Sequence, residues 1–128
     1  MSDEQKLNYL RYALIFFGVI LFLVYPLMHI WPSGWKWVPS QYKYEQMIIG
    51  IYATLGVFLV LASKNPMENA SLIWFTVWSS IVHATIMLLQ VFYDPIEHGH
   101  LYGDIPALYI IAIVLAYLMP RHIQNKRY

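Results

Sequence analysis

A chain of 128 residues is one domain's length, but 59% of these residues are hydrophobic, 17% aromatic and only 12% charged, where a soluble domain carries roughly one quarter charged residues. With a mean hydropathy of +0.50 this is the composition of an integral membrane protein, and a formal net charge of +1 without a Lys/Arg cluster among aromatics excludes a nucleic-acid surface. Zero cysteines exclude disulfides, thiolate metal sites and cysteine nucleophiles, and leave the redox compartment open.

Crossing about 30 Å of hydrocarbon at 1.5 Å per residue takes about 17 to 25 apolar residues, and four uncharged runs of this kind follow one another. The first covers 12–30, "YALIFFGVILFLVYPLMHI". Pro26 lacks a backbone donor and is expected to kink its far end. The run is long and leads into "PLMHIW" without a small-residue cleavage site, so it is expected to stay as a helix. Next, "WPSGWKWVPSQYKY" sets Trp31, Trp35 and Trp37 among turn formers. Indoles collect at the headgroup level, which makes this loop an interfacial anchor before a ligand-stacking platform.

The second run, 46–62, carries Gly50, Ala53 and Gly56, a small-residue surface for close helix contact. "SKNPMEN" follows as a tight turn, with Asn65 expected to cap the next helix and Pro66 to open it. The third run is 70–93, and the fourth is 105–119, stopped by Pro120. The expected fold is all-α, a four-helix transmembrane bundle. Lys6, Arg11, Lys64, Arg121, Lys126 and Arg127 flank one side and only Lys36 and Lys43 the other, so both termini are expected in the cytoplasm and the Trp-rich loop outside. "NAS" at Asn69 then lies on the cytoplasmic side, a chance match to a glycosylation acceptor.

Thr76, Ser80, His83, Met87, Gln90 and Asp94 step along the third run by fours and threes, one face of a helix. An unpaired polar group in hydrocarbon costs several kcal/mol, so this stripe is expected to face the bundle interior or a watered cavity. Interhelical hydrogen bonding alone, worth about 1 kcal/mol each, is the simplest role for Ser80 and His83; a binding site is the other. Tyr25 and His29 share a face of the first helix, Glu45 and Tyr52 a face of the second, and the topology brings Tyr25, His29, Glu45 and Gln90 to one outer level. Glu45 also begins a span, where a carboxylate meets the positive end of the helix dipole.

The fourth run rises only about 22 Å at 1.5 Å per residue. "DPIEHGHLYGD", 94–104, is therefore expected to dip into the bundle mouth, which is tolerated where protein or water surrounds it. Asp104 is expected to cap the fourth helix, with Pro106 in its first turn, which leaves Glu97, His98 and His100 without a structural task.

Three classes of chemistry can be set against this frame. His98, His100, Glu97, Asp94 and His29 offer imidazole and carboxylate ligands suited to a zinc, copper or non-haem iron ion, although His-x-His is a short pattern. An acid/base membrane enzyme would use His83 with a carboxylate on a small apolar substrate packed on Tyr25 and Tyr52, but no nucleophile motif, phosphate loop or cofactor fingerprint accompanies it. The reading leans against an enzyme. Haem is disfavoured because His83, His29 and His122 fall at different depths. The third class is a binding protein or an accessory subunit that packs in the bilayer against larger membrane subunits or its own copies. It is favoured, with His83, Gln90, Tyr25, Tyr52, Glu45 and Ser80 as the cavity and ligand-binding candidates.

The strings "WPSGWKWVPSQYKYEQMIIGIYATLGVFLVLAS", "SLIWFTVWSSIVHATIMLLQ" and "DPIEHGHLYGDIPAL" resemble a family of small four-helix bacterial membrane proteins of unknown function, over about residues 8–121. The resemblance implies a multi-pass protein of the bacterial inner membrane and no particular activity. A looser similarity to DoxX-type proteins lies in size and helix number, without a shared motif.

Overall fold

Helix formation starts ahead of the first apolar run. The Ser2 hydroxyl accepts from the Gln5 N–H while the Gln5 side chain accepts from the Ser2 N–H, a reciprocal cap with Asp3 and Glu4 at the positive end of the helix dipole. The computed structural model describes residues 1–32 and 42–121, with the backbone only for Tyr42, Ile96 and Glu97. In it, α1 spans Asp3–Phe22. A search for uncharged residues finds the part of this helix suited to hydrocarbon and misses its charged first turns.

α2, Val24–Ile30, leaves α1 at an angle of 59°. The break at Leu23 is the work of Pro26, which offers no N–H to the Phe22 carbonyl and crowds it with its ring. The Leu23 N–H instead reaches back to the Val19 and Ile20 carbonyls at 3.0 Å each. The bend thus falls one turn before the proline. Trp35, Trp37, Lys36, His122, Lys126 and Arg127 lie outside the described residues.

Three further α-helices follow: α3, Tyr42–Ala62, α4, Ala70–Tyr93, and α5, Asp104–Leu118. A 3₁₀ helix, Pro95–Leu101, links α4 to α5. No strand is present among the described residues. The expected cap at Asn65 and helix start at Pro66 are corrected: α4 begins at Ala70 with Asn69 in the cap position. Turns occupy the interval, with the Asn69 amide donating to the Asn65 carbonyl at 2.9 Å and Pro66 fully buried beneath them.

α1 packs on α3 and more lightly on α5, and α4 packs on α5 and the 3₁₀ helix. α3 and α4 are joined by a short turn yet hardly approach each other. The α1–α3 contact is set at Gly18 and Gly56, where a Cβ on Gly18 would lie 2.6 Å from the Gly56 carbonyl oxygen; without side chains the two backbones meet. Gly56 is therefore the working part of the small-residue surface, since a Cβ on Gly50 would meet nothing within 4 Å. Leu10, Leu14, Leu59, Ile73 and Leu115, all fully buried, form the core. At one end of the molecule the Lys6 ammonium lies 5.2 Å from the Tyr117 ring centroid, tying the start of α1 to the end of α5.

Three segments, Lys43–Ala62, Ala70–Tyr93 and His98–Leu118, are long and apolar enough to cross a membrane, and α1 with α2 makes a fourth if the bent pair is one span. The 3₁₀ helix lengthens the short fourth run, since His98–Leu118 supplies 21 residues. Ile15, Phe16, Ile51, Phe58, Phe75, Val82, Leu89 and Ile113 all face outward and are exposed. Water does not tolerate so wide an apolar surface. Lipid does.

Candidate functional site

The inner face of α4 is read from its buried residues, Ile73, Thr76, Val77, Ser80, Ala84, Met87 and Val91. At roughly 100° per residue these centre near Ser80 and Ala84. His83 stands at the edge of that face, half-buried and turned toward α3. There it meets Tyr52, whose hydroxyl shares a hydrogen bond with His83 Nδ1 while the two rings stack with centroids 5.6 Å apart. A polar pair therefore bridges the two helices that otherwise keep apart.

Beside this pair lies a cavity of about 70 Å³ lined from all five α-helices. Its polar lining is Glu45 and Tyr52 from α3, His83 from α4 and Asp104 from α5; Leu21, Met28, Met87, Leu108 and Ile111 are among its apolar walls. Glu45 is 8% and Asp104 9% exposed. The Asp104 carboxylate accepts from His100 Nδ1 at 2.7 Å, and His100 is 0% exposed. The expectation that Asp104 caps its helix is corrected: Gly103 holds the cap position, no side-chain capping bond forms, and the carboxylate is committed to His100. That pairing gives His100 a structural role. It also keeps a buried carboxylate in the hydrogen-bonded state that burial demands.

In front of the pair, between α3 and α4, opens a crevice of about 200 Å³ lined by Ile48, Ile51, Leu55, Phe75, Ser79 and Ser80 together with Leu21, Tyr52 and His83. Leu21, Ile48, Tyr52 and His83 line both spaces. The Tyr52–His83 pair, with Leu21 and Ile48, thus stands on the wall common to a crevice open between α3 and α4 and a mainly apolar cavity that carries four polar side chains.

The structure unites His83, Tyr52, Glu45 and Ser80 around these two spaces. Tyr25 lies apart, lining an outer hollow of about 180 Å³ with His29, Glu45 and Gln46. Gln90 is exposed beyond the edge of the inner face of α4. Of the residues considered for a metal, His29 is exposed and its Nδ1 donates to the Tyr25 carbonyl of its own helix at 3.0 Å. His98 is exposed, Asp94 is half-buried at the end of α4, and the Glu97 side chain lies outside the described residues. Among the described residues no three His, Asp or Glu side chains gather to hold a metal ion. Asp104 is the site residue that sequence reasoning passed over; its spacing of four from His100 was the available signal.

A family model described as a family of unknown function (DUF6632) matches residues 5–126. The chain belongs to that family. No curated protein and no solved structure matches it, and the looser likeness to DoxX-type proteins gains nothing from these comparisons. The membership agrees with the resemblance carried by the three quoted strings and assigns the site no activity, so the chemistry rests on geometry. Two carboxylates, an imidazole and a phenol line one cavity, and among the described residues no Lys or Arg lines it. Such a set can both donate and accept hydrogen bonds.

Proposed function

We propose that the protein is a four-span bundle of the bacterial inner membrane, with both termini cytoplasmic and its Trp-rich loop outside, that binds a small lipid-soluble molecule. The Tyr52–His83 bond, set on the wall common to two mainly apolar spaces, carries this reading. Ligand sites are mainly apolar with a few placed polar groups that fix orientation. An intramembrane ionisable residue is by default a functional one, and His83 sits where a ligand arriving from the bilayer would first meet a hydrogen-bonding group. In this reading the cavity lies toward the outer face, with Glu45, Asp104 and the 3₁₀ helix at that end. Binding serves the molecule alone or as a subunit of a larger membrane complex, and the open side between α3 and α4 is where lipid or a partner helix would lie. The experiment is mild purification from the native membrane followed by mass spectrometry of retained small molecules, with and without His83.

A further inference from the structure

We infer that the crevice between α3 and α4 takes an uncharged carbonyl compound, a ketone or aldehyde on a small apolar body, held by the Ser80 hydroxyl and the Tyr52–His83 pair; this rests on the binding role proposed above. Ser80 carries the inference. It is only 6% exposed yet lines the crevice, and among the described residues its hydroxyl makes no hydrogen bond. Its neighbours along α4 are occupied within the helix: the Thr76 hydroxyl donates to the Leu72 carbonyl at 2.9 Å, and the Ser79 hydroxyl to the Thr76 carbonyl at 3.3 Å. That second bond engages the carbonyl four residues before Ser80, the acceptor a helical serine ordinarily uses. A buried hydroxyl without a partner costs free energy, which a ligand oxygen in the crevice would recover.

The Tyr52–His83 bond adds a second donor whichever way its proton lies. If the phenol donates to Nδ1, the neutral imidazole carries its own N–H at Nε2; if Nδ1–H donates to the phenol oxygen, the phenol keeps its O–H. Both residues line the crevice beside Ser80. A carbonyl oxygen has two lone pairs and no proton, so it can accept from both donors. An alcohol brings a proton that needs an acceptor of its own, and a hydrocarbon leaves Ser80 as it is. Among the described residues no Asp, Glu, Lys or Arg lines the crevice, so an ion entering from lipid would leave its charge without a partner there. Size sets the body. A cavity of about 150 Å³ takes benzene, and the crevice of about 200 Å³, walled by Ile51, Leu55 and Phe75, takes one ring with a short substituent.

The test uses the full-length protein in lipid nanodiscs at neutral pH, titrated calorimetrically with acetophenone, 1-phenylethanol, ethylbenzene and benzoate, with protein-free nanodiscs subtracted. Acetophenone should bind saturably, at least tenfold tighter than ethylbenzene and about threefold tighter than the alcohol, with no saturable benzoate binding. Infrared spectra of acetophenone labelled at its carbonyl carbon should show the bound carbonyl stretch at lower wavenumber than in lipid alone. In Ser80→Ala, a substitution that a helix accepts readily, affinity should fall about fivefold and the band should return toward its lipid position, while ethylbenzene binds as before. Ser79→Ala, which removes a hydroxyl already committed to Thr76, should change neither. If the alcohol, ethylbenzene or benzoate binds as tightly as acetophenone, or if the band ignores Ser80→Ala, the carbonyl class is wrong while the binding role stands. If none of the four binds saturably, both fall.

Discussion

Tyr52 of α3 and His83 of α4 share a hydrogen bond across two helices that are neighbours in sequence and otherwise hardly touch. In water such a bond would be one of many; between lipid-facing helices it is the main polar tie. Interhelical hydrogen bonds in membranes average about 0.6 kcal/mol and reach about 1.7 kcal/mol. A double-mutant cycle of Tyr52→Phe and His83→Phe, read by unfolding in mixed detergent, should return a coupling of about 1 kcal/mol. Independent effects of the two substitutions would mean that the pair does not tie the helices.

Gly18 and Gly56 make a second interhelical prediction. Either glycine changed to alanine drives a methyl group into the facing backbone, and overpacking of a close contact costs about 1–3 kcal/mol. Gly50→Ala, whose methyl would meet nothing within 4 Å, should change stability by less than about 0.5 kcal/mol. The contrast between the three alanine variants in the same unfolding assay is the measurement.

The two histidines of "EHGHLYGD" should behave oppositely. His100→Ala strands the buried Asp104 carboxylate, and removing one partner of a buried pair costs about 3–5 kcal/mol. Asp104→Asn keeps an acceptor for His100 Nδ1 and should cost less. His98→Ala, at an exposed position, should be neutral within about 0.5 kcal/mol. Thermal unfolding of the purified variants checks the order.

Orientation can be read directly because the chain has no cysteine. A single cysteine at His98 should react with an impermeant maleimide in intact cells, and one at Lys64 only after the membrane is opened. The reverse pattern would invert the topology.

Apolar run length carried much of the fold in the sequence. Except for Leu23 and Met119 the four expected runs fall within described helices, three of which are long and apolar enough to cross a membrane, or four with the bent pair as one. Boundaries were less legible. α1 extends outward through charged residues under the cap of Ser2 and Gln5, and the fourth run gains its length from a 3₁₀ helix whose polar sequence resembles a loop. Within the site, shared faces marked His83, Glu45 and Tyr52 as candidates. Which helices pair was not legible, since a short connection between α3 and α4 implies contact that the close meeting of α1 and α3 at Gly18 and Gly56 replaces. The polar stripe failed at Gln90 for a geometric reason. Steps of four and three average 3.5 residues per turn, whereas the helix turns every 3.6, and the inner face is centred on Ser80 and Ala84, leaving Gln90 beyond its edge. Asp104 was misread because an acidic residue at a helix start has an ordinary explanation in the dipole, and its partner four residues earlier was assigned to the loop.

The binding role is tested most directly by purifying the protein and its His83→Phe variant under mild conditions and comparing by native mass spectrometry what each retains. Wild type should carry a small lipid-soluble molecule in near-stoichiometric amount, and a folded His83→Phe should have lost it. Wild-type protein without any such molecule, or a folded variant that keeps it, would contradict the account.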